Sequence, residues 1–257
     1  MDRSHPKIPL SAPYHEVEWT GEKIHRFWAY FSLNEAAHAH HFSRIFGEAI
    51  LRVAQRYLTL KGTIVDVGCG PGYLIPLLLK HGLTVKAIDS SPQSIRFLEE
   101  RFTGHPGFLG AQVGDICSLP LKDQEAEVIF LIEVLEHLNP ETTDRALWEL
   151  LRVLAPGGQV FITVPHQEDL DSHKIACPEC GCVFHRVQHQ QSFSLLSLEA
   201  LLLRHGFEPI IVTALNFRDY TGDGLKRLEG WLRRTLARFR RTPRRQPHLV
   251  AIGRRPR

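Results

Sequence analysis

No run of apolar residues in this 257-residue chain approaches the ~18 to 20 needed to cross a bilayer, which excludes a membrane-spanning helix. The first residues, Met1-Asp2-Arg3-Ser4-His5-Pro6, lack the apolar stretch of a secretory signal, so the expected location is the cytoplasm. Charge of one sign is lacking too: 31 Lys and Arg against 28 Asp and Glu leave +3, which by itself points to no particular partner. Cysteine is scarce and odd in number, at 5, which argues against a disulfide framework. What is present is ordinary for a globular protein, 43% apolar and 23% charged residues, enough for one large α/β domain or two small ones.

The even balance hides an uneven distribution. Residues 216–257 hold 13 of the Lys and Arg and 3 of the Asp and Glu, a net +10, so the first 215 residues carry −7. Residues 1–20 have no clear period. From 21 to 58 apolar residues such as Ile24, Trp28, Phe31, Ile45, Ile50 and Val53 recur at helical spacing, and residues 1–58 read as an arm followed by a helical cap. After Lys61-Gly62 the pattern changes to short β-branched runs at 63–67, 84–88, 110–113, 128–132 and 159–164, separated by amphipathic stretches. Such alternation predicts a parallel sheet with helices on both faces over 59–257. The pattern breaks over about 169–193, then resumes with a helix over 195–205, a strand over 207–212, a basic helix over 225–241 inserted at about 224–242, and a strand over 248–252.

The first strand ends in Asp66-Val67-Gly68-Cys69-Gly70-Pro71-Gly72-Tyr73. Glycines at a strand-to-helix turn let the backbone approach a ligand at the carboxyl edge of the sheet. A dinucleotide fingerprint needs its third glycine where Tyr73 stands, which counts against a pyrophosphate. Asp66 points the same way, since a carboxylate there repels phosphate and attracts a cation. Asp89, ending the second strand about twenty residues on, suits a pair of ribose hydroxyls, and Asp115, after the third strand, suits an exocyclic adenine amine. Three carboxylates at three successive strand ends describe an adenosine nucleoside with a cationic tail.

With Asp89, Gly114-Asp115-Ile116 and Glu133-Val134-Leu135-Glu136-His137, this loop resembles the class I S-adenosylmethionine-dependent methyltransferases over about residues 60–165. The resemblance implies a Rossmann-like α/β fold with a seven-stranded, mostly parallel sheet in the order 3-2-1-4-5-7-6, the seventh strand antiparallel. It also implies S-adenosyl-L-methionine as cofactor. Asp66, Gly68, Cys69, Gly70 and Gly72 would then surround the methionine part, Asp89 with Ser90 the ribose, and Asp115 and Ile116 the adenine. Glu133 would lie beside the methyl group.

A sulfonium methyl is already activated, so an acceptor has only to be aligned, dried and, for a hydroxyl, relieved of a proton. His137, after the fourth strand, fits that role, with a capping or packing role weighing equally; His166, at the end of the fifth, is a weaker candidate. Trp28, Tyr30 and Phe31, with His38, His40 and His41, form either a lid or a helix packed on the sheet edge. The acceptor is expected to be a small molecule methylated on oxygen. A protein that keeps this fold to sense the cofactor or bind a partner is the alternative.

Within 169–193, Cys177, Cys180, His185 and His189 have the spacing of a structural zinc set, with Cys182 competing for a place. The run resembles an insert of the form C-P-x-C-G-x-x-F-H-x-x-x-H found in some bacterial class I methyltransferases. The basic helix 225–241 carries a stripe of Leu225, Leu228, Leu232, Leu236 and Phe239, which packs on the domain, docks on an anionic membrane surface or holds an acidic acceptor. Nucleic acid ranks last, since no RNA-binding signature is present.

Overall fold

Strands here are set by β-branched runs whose alternate residues must find two separate cores. In a computed structural model that describes residues 14–222 and 246–257, Val128, Phe130 and Ile132 of one strand enter one hydrophobic cluster, and Ile129 and Leu131 enter the other. The same sorting divides Phe161 from Val160 and Ile162, and Val250 and Ile252 from Leu249 and Ala251. A period of two with both faces apolar is what a sheet covered on both sides requires.

In chain order the elements are β1 (His15–Glu16), α1 (Gly21–Leu33), α2 (Glu35–His38), α3 (Phe42–Tyr57), β2 (Thr63–Val67), α4 (Ile75–Lys80), β3 (Thr84–Asp89), α5 (Pro92–Phe102), β4 (Phe108–Val113), β5 (Ala126–Ile132), α6 (Pro140–Val153), β6 (Leu154–Pro165), β7 (Lys174–Ala176), β8 (Cys182–His185), α7 (Leu195–Arg204), β9 (Glu208–Leu215) and β10 (His248–Arg254). The main sheet runs β4-β3-β2-β5-β6-β10-β9, with β10 antiparallel to both neighbours and the other pairs parallel. Numbered within that sheet, the order is the expected 3-2-1-4-5-7-6. The chain reverses direction across the sheet between β2 and β5, and the carboxyl ends of these strands form the crevice where ligands bind in open α/β folds.

Caps fix the helices that frame this edge. Ser91 accepts from the Ser94 amide with Pro92 in the first turn of α5, and Asn139 accepts from Thr142 with Pro140 opening α6. Helix α6 therefore opens at Pro140. The helix after the glycine loop begins at Ile75, since the chain must first finish the turn through Tyr73 and Leu74.

Two features were not legible in the sequence. The stretch expected to be irregular contains a hairpin, β7 antiparallel to β8, and β1 adds to it as a parallel third strand, His15 against Cys182 and Glu16 against Val183. Lys174 pairs with Glu16 at 2.7 Å and Trp19 packs edge-on against Phe184, so the N-terminal segment and the insert form one unit. A parallel bridge between His166 and Phe193 closes the base of that insert. The N-terminal cap consists of three helices, α1, α2 and α3. The basic helix over 225–241 lies outside the described residues. Among those residues no helix is long and apolar enough to cross a membrane.

Phe161, fully buried in β6 against Phe130, with ring centres 5.4 Å apart, stands at the middle of the larger core. Phe161→Ala is expected to cost about 3–5 kcal/mol, read as a lower urea midpoint at unchanged slope. A shift under 1 kcal/mol would mean the sheet does not pack as described.

Candidate active site

Four carboxylates gather at the carboxyl ends of β2, β3 and β5, and the backbone explains why. Gly70 and Gly72 hold φ of 51° and 72°, and a side chain at Gly72 would meet the Leu98 side chain at 2.1 Å. Glycine is required there by both conformation and space. The loop is tied across to β3: the amides of Gly68 and Cys69 donate to the Ile88 carbonyl, and Gly70 N–H donates to Asp89 Oδ2 at 2.8 Å. Asp89 Oδ1 accepts from the Ser91 amide, also at 2.8 Å. Each oxygen keeps a second lone pair for a hydroxyl.

Asp66 is buried at the end of β2, and its pKa is raised to about 8 by loss of solvent and then by the charge of Asp89. Burial also raises Asp89, against the two amides that favour its ionised form, and it raises the thiol of Cys69. Ser90 is exposed at the rim. Asp115 is exposed beyond β4, its Oδ1 held by the Cys117 amide at 2.8 Å, and Ile116 packs on the second core. The expected residues Asp66, Gly68, Cys69, Gly70, Gly72, Asp89 and Ser90 thus converge on one turn, with Asp115 and Ile116 in the loop after the neighbouring strand.

After β5 the chain turns through Glu133, whose φ of 52° is rare for a residue with a side chain, into a short 3-10 turn over Leu135–His137. Glu133 is raised by burial against the Thr163 hydroxyl. Glu136 is raised well above the carboxylate range by burial and then by the charge of Glu133, and it is fully buried. His137 is held well below its usual range by burial and by the nearby His189. The imidazole is therefore neutral at physiological pH. His166 is weaker as an actor than its position suggested: its Nδ1 lies 2.9 Å from the Gln246 carbonyl, turned toward the last strand.

Helix α1 crosses this edge. Trp28 Nε1 donates to Gln188 at 2.9 Å and packs edge-on against His137, ring centres 4.7 Å apart; Ser32 meets the Ser91 hydroxyl at 3.0 Å. No residue of α1 is fully buried, yet it bridges the cofactor loop and the insert, as a lid would. His41 lies over the glycine loop against Tyr73, its pKa lowered to about 4 by burial and by the neighbouring His38.

The hairpin does not bring the expected zinc set together. Among the described residues, the groups whose ligand atoms close within 4.8 Å are Glu168 with His185 and His189, and Glu136 with His137 and His189; neither contains a cysteine. Cys177 and Cys180 sit at the hairpin tip, where the Cys177 thiol is held below its usual range by the amides of Cys180 and Glu179. His185 is at the opposite end of β8, paired with Lys174, and three residues of extended strand separate it from Cys182 by ~10 Å. C-x2-C and H-x3-H spacing could not reveal that a strand lies between the pairs. Reading of the sequence also missed Glu168 and the run Gln188, Gln190 and Gln191, whose side-chain amides bind the carbonyls of His137 and Leu138 and fasten the insert to the turn after β5.

Residues 65–162 match the family model described as a methyltransferase domain. The malonyl-[acyl-carrier protein] O-methyltransferase of Methylococcus capsulatus is 28% identical over 69% of this chain and 70% of its own length. The ubiquinone biosynthesis O-methyltransferase of Coxiella burnetii is 31% identical over 44% of the chain, which spans about half, 48%, of that relative. The chain carries an S-adenosylmethionine-dependent methyltransferase domain. Among solved structures, the Burkholderia thailandensis 1,6-didemethyltoxoflavin-N1-methyltransferase, with bound S-adenosylhomocysteine, shares the fold at a TM-score of 0.63 and 14% identity, covering 95% of this chain and 94% of that one.

The methyltransferase domain fits its cofactor by chemistry. Asp66 is a buried carboxylate and Glu133 a half-buried one, and the ionised forms of both want a cation, while Asp89 keeps two lone pairs for a diol.

The raised Asp66 carries a sign. An unfolded aspartate ionises near ~4, so between that pH and about 8 the folded chain holds the extra proton, and stability falls as pH rises through this window. Melting temperatures of the cofactor-free protein from pH 5 to 8 should decline less steeply in Asp66→Asn than in the wild type; equal slopes would contradict the assignment. Asp89→Ala is expected to weaken cofactor binding by about 1–3 kcal/mol, measured by calorimetry, through lost hydroxyl acceptors and a loosened Gly70 amide.

Proposed function

We propose that the chain transfers the methyl group of S-adenosylmethionine to an oxygen nucleophile of a small-molecule acceptor. The observation that carries this reading is His137, a half-buried neutral imidazole four residues from Glu133 at the carboxyl end of β5, under the aromatic face of α1. When bound, the cofactor supplies a methyl group already activated on sulfur. The chain's part is to hold, dry and prepare the acceptor. Asp66 and Glu133 balance the cationic end. Trp28, with Phe27 at 5.4 Å and Phe31 at 5.6 Å, roofs the cleft and excludes water. His137 activates the acceptor oxygen, since an alcohol or phenol must lose a proton as it attacks. The names of the Methylococcus and Coxiella relatives, both O-methyltransferases, support oxygen as the accepting atom.

Incubation with methyl-labelled cofactor and a panel of phenols, carboxylic acids and amines, with the product solved by NMR, tests this. A new O-methyl group is expected, and methyl on nitrogen or carbon would overturn the oxygen assignment. His137→Ala should lower kcat by about 10²–10⁴-fold while leaving affinity for S-adenosylhomocysteine within a factor of three. An unchanged kcat would remove His137 from the chemistry.

A further inference from the structure

The pattern of protons around Glu168 leaves one cluster of lone pairs without an owner. His185 Nδ1 accepts from the amides of His189 at 3.1 Å and Val187 at 3.4 Å, so its proton is on Nε2, which faces Glu168 Oε1 at 3.5 Å. His173 Nε2 lies 3.8 Å from the same oxygen. His189 Nδ1 donates to Glu168 Oε2. The other nitrogen of His189, Nε2, is then a bare lone pair, and it lies 4.0 Å from Glu136 Oε1. His137 Nε2 is 3.9 Å from that same oxygen. Glu136 is fully buried, and neither of its oxygens has a hydrogen-bond partner among the described residues. A buried carboxylate facing two imidazoles with no donor is costly as it stands, and one cation in the middle would satisfy all three.

We propose that Glu136, His137 and His189 bind a divalent transition-metal ion, with Glu168 as the carboxylate that orients His189. A carboxylate behind the far nitrogen of a ligating imidazole fixes its tautomer and is the usual support of such sites. His185 is excluded as a ligand through Nε2, because its Nδ1 is already an acceptor. Two nitrogens and one carboxylate suit zinc or its first-row neighbours rather than calcium, and three protein ligands leave a coordination position open. This deepens the methyl-transfer reading and rests on it for its purpose: with the ion bound, His137 would serve as its ligand rather than as a base, and the ion would lower the pKa of an acceptor hydroxyl that ligates it, whose proton passes to solvent. Trp28 against His137, and Gln188 linking Trp28 to the His137 carbonyl, make the insert and the lid the walls of the site.

The test is elemental analysis of full-length protein dialysed against Zn2+ and then against buffer. One equivalent per chain is expected, falling at least tenfold in His189→Ala and Glu136→Gln and persisting in Cys177→Ser/Cys180→Ser. Glu168→Gln, which keeps the size of the side chain and removes its charge, should weaken zinc affinity about 10–100-fold and serves if the other variants fold poorly. Co2+ added to apo-protein should give visible absorption bands that His189→Ala lacks. Absence of retained zinc in the wild type, or loss with the cysteine pair and retention in His189→Ala, would overturn the site. Titration of each variant with S-adenosylhomocysteine separates the two readings: failure of the metal site leaves that binding intact, whereas failure of the cofactor reading abolishes it in the wild type.

Discussion

Everything at the working edge of this protein depends on four acidic side chains, Asp66, Asp89, Glu133 and Glu136, crowded at the ends of adjacent parallel strands with little solvent. Burial raises all four. Packing such groups together opposes folding unless something positive joins them. The glycine turn, the lid helix and the histidine-rich insert are all arranged around that unmet charge. In the reading proposed above, the cofactor answers it on the β2 and β3 side. On the β5 side the matching partner is the ion argued above.

The insert is built to serve that second half. Its hairpin borrows a strand from the N-terminal segment, so a part of the chain remote in sequence stiffens the loop that carries His185 and His189. Gln188, Gln190 and Gln191 tie the far end of the same loop to the turn holding Glu136 and His137. Positive φ at Glu133 and Gln188 marks both sides of this junction as strained backbone held by its surroundings. Trp28, Gln188 and the His137 carbonyl therefore join α1, the insert and the end of β5 through direct hydrogen bonds.

Much of this was legible in the sequence because the information was local. Period-two apolar runs gave the strands, and Asp66, Asp89 and Glu133 fell at strand ends where side-chain position follows from chain position alone. The expected metal ligands are not brought together, for the converse reason. Cys177, Cys180, His185 and His189 are close in number, but a strand of extended backbone separates them, and the partners that His189 meets, Glu136 and Glu168, come from elsewhere in the chain. Nothing in the spacing signalled that. The three glutamines gave no signal either, since amide side chains acquire meaning only from the carbonyls they face.

The measurement that bears most directly on the account is calorimetric titration of the purified chain with S-adenosylhomocysteine. The buried acidic edge and glycine turn call for one equivalent bound with a micromolar dissociation constant and a matching rise in melting temperature as ligand exceeds it. A well-folded protein that gives neither heat nor thermal stabilisation would contradict the claim that this edge is built around that cofactor.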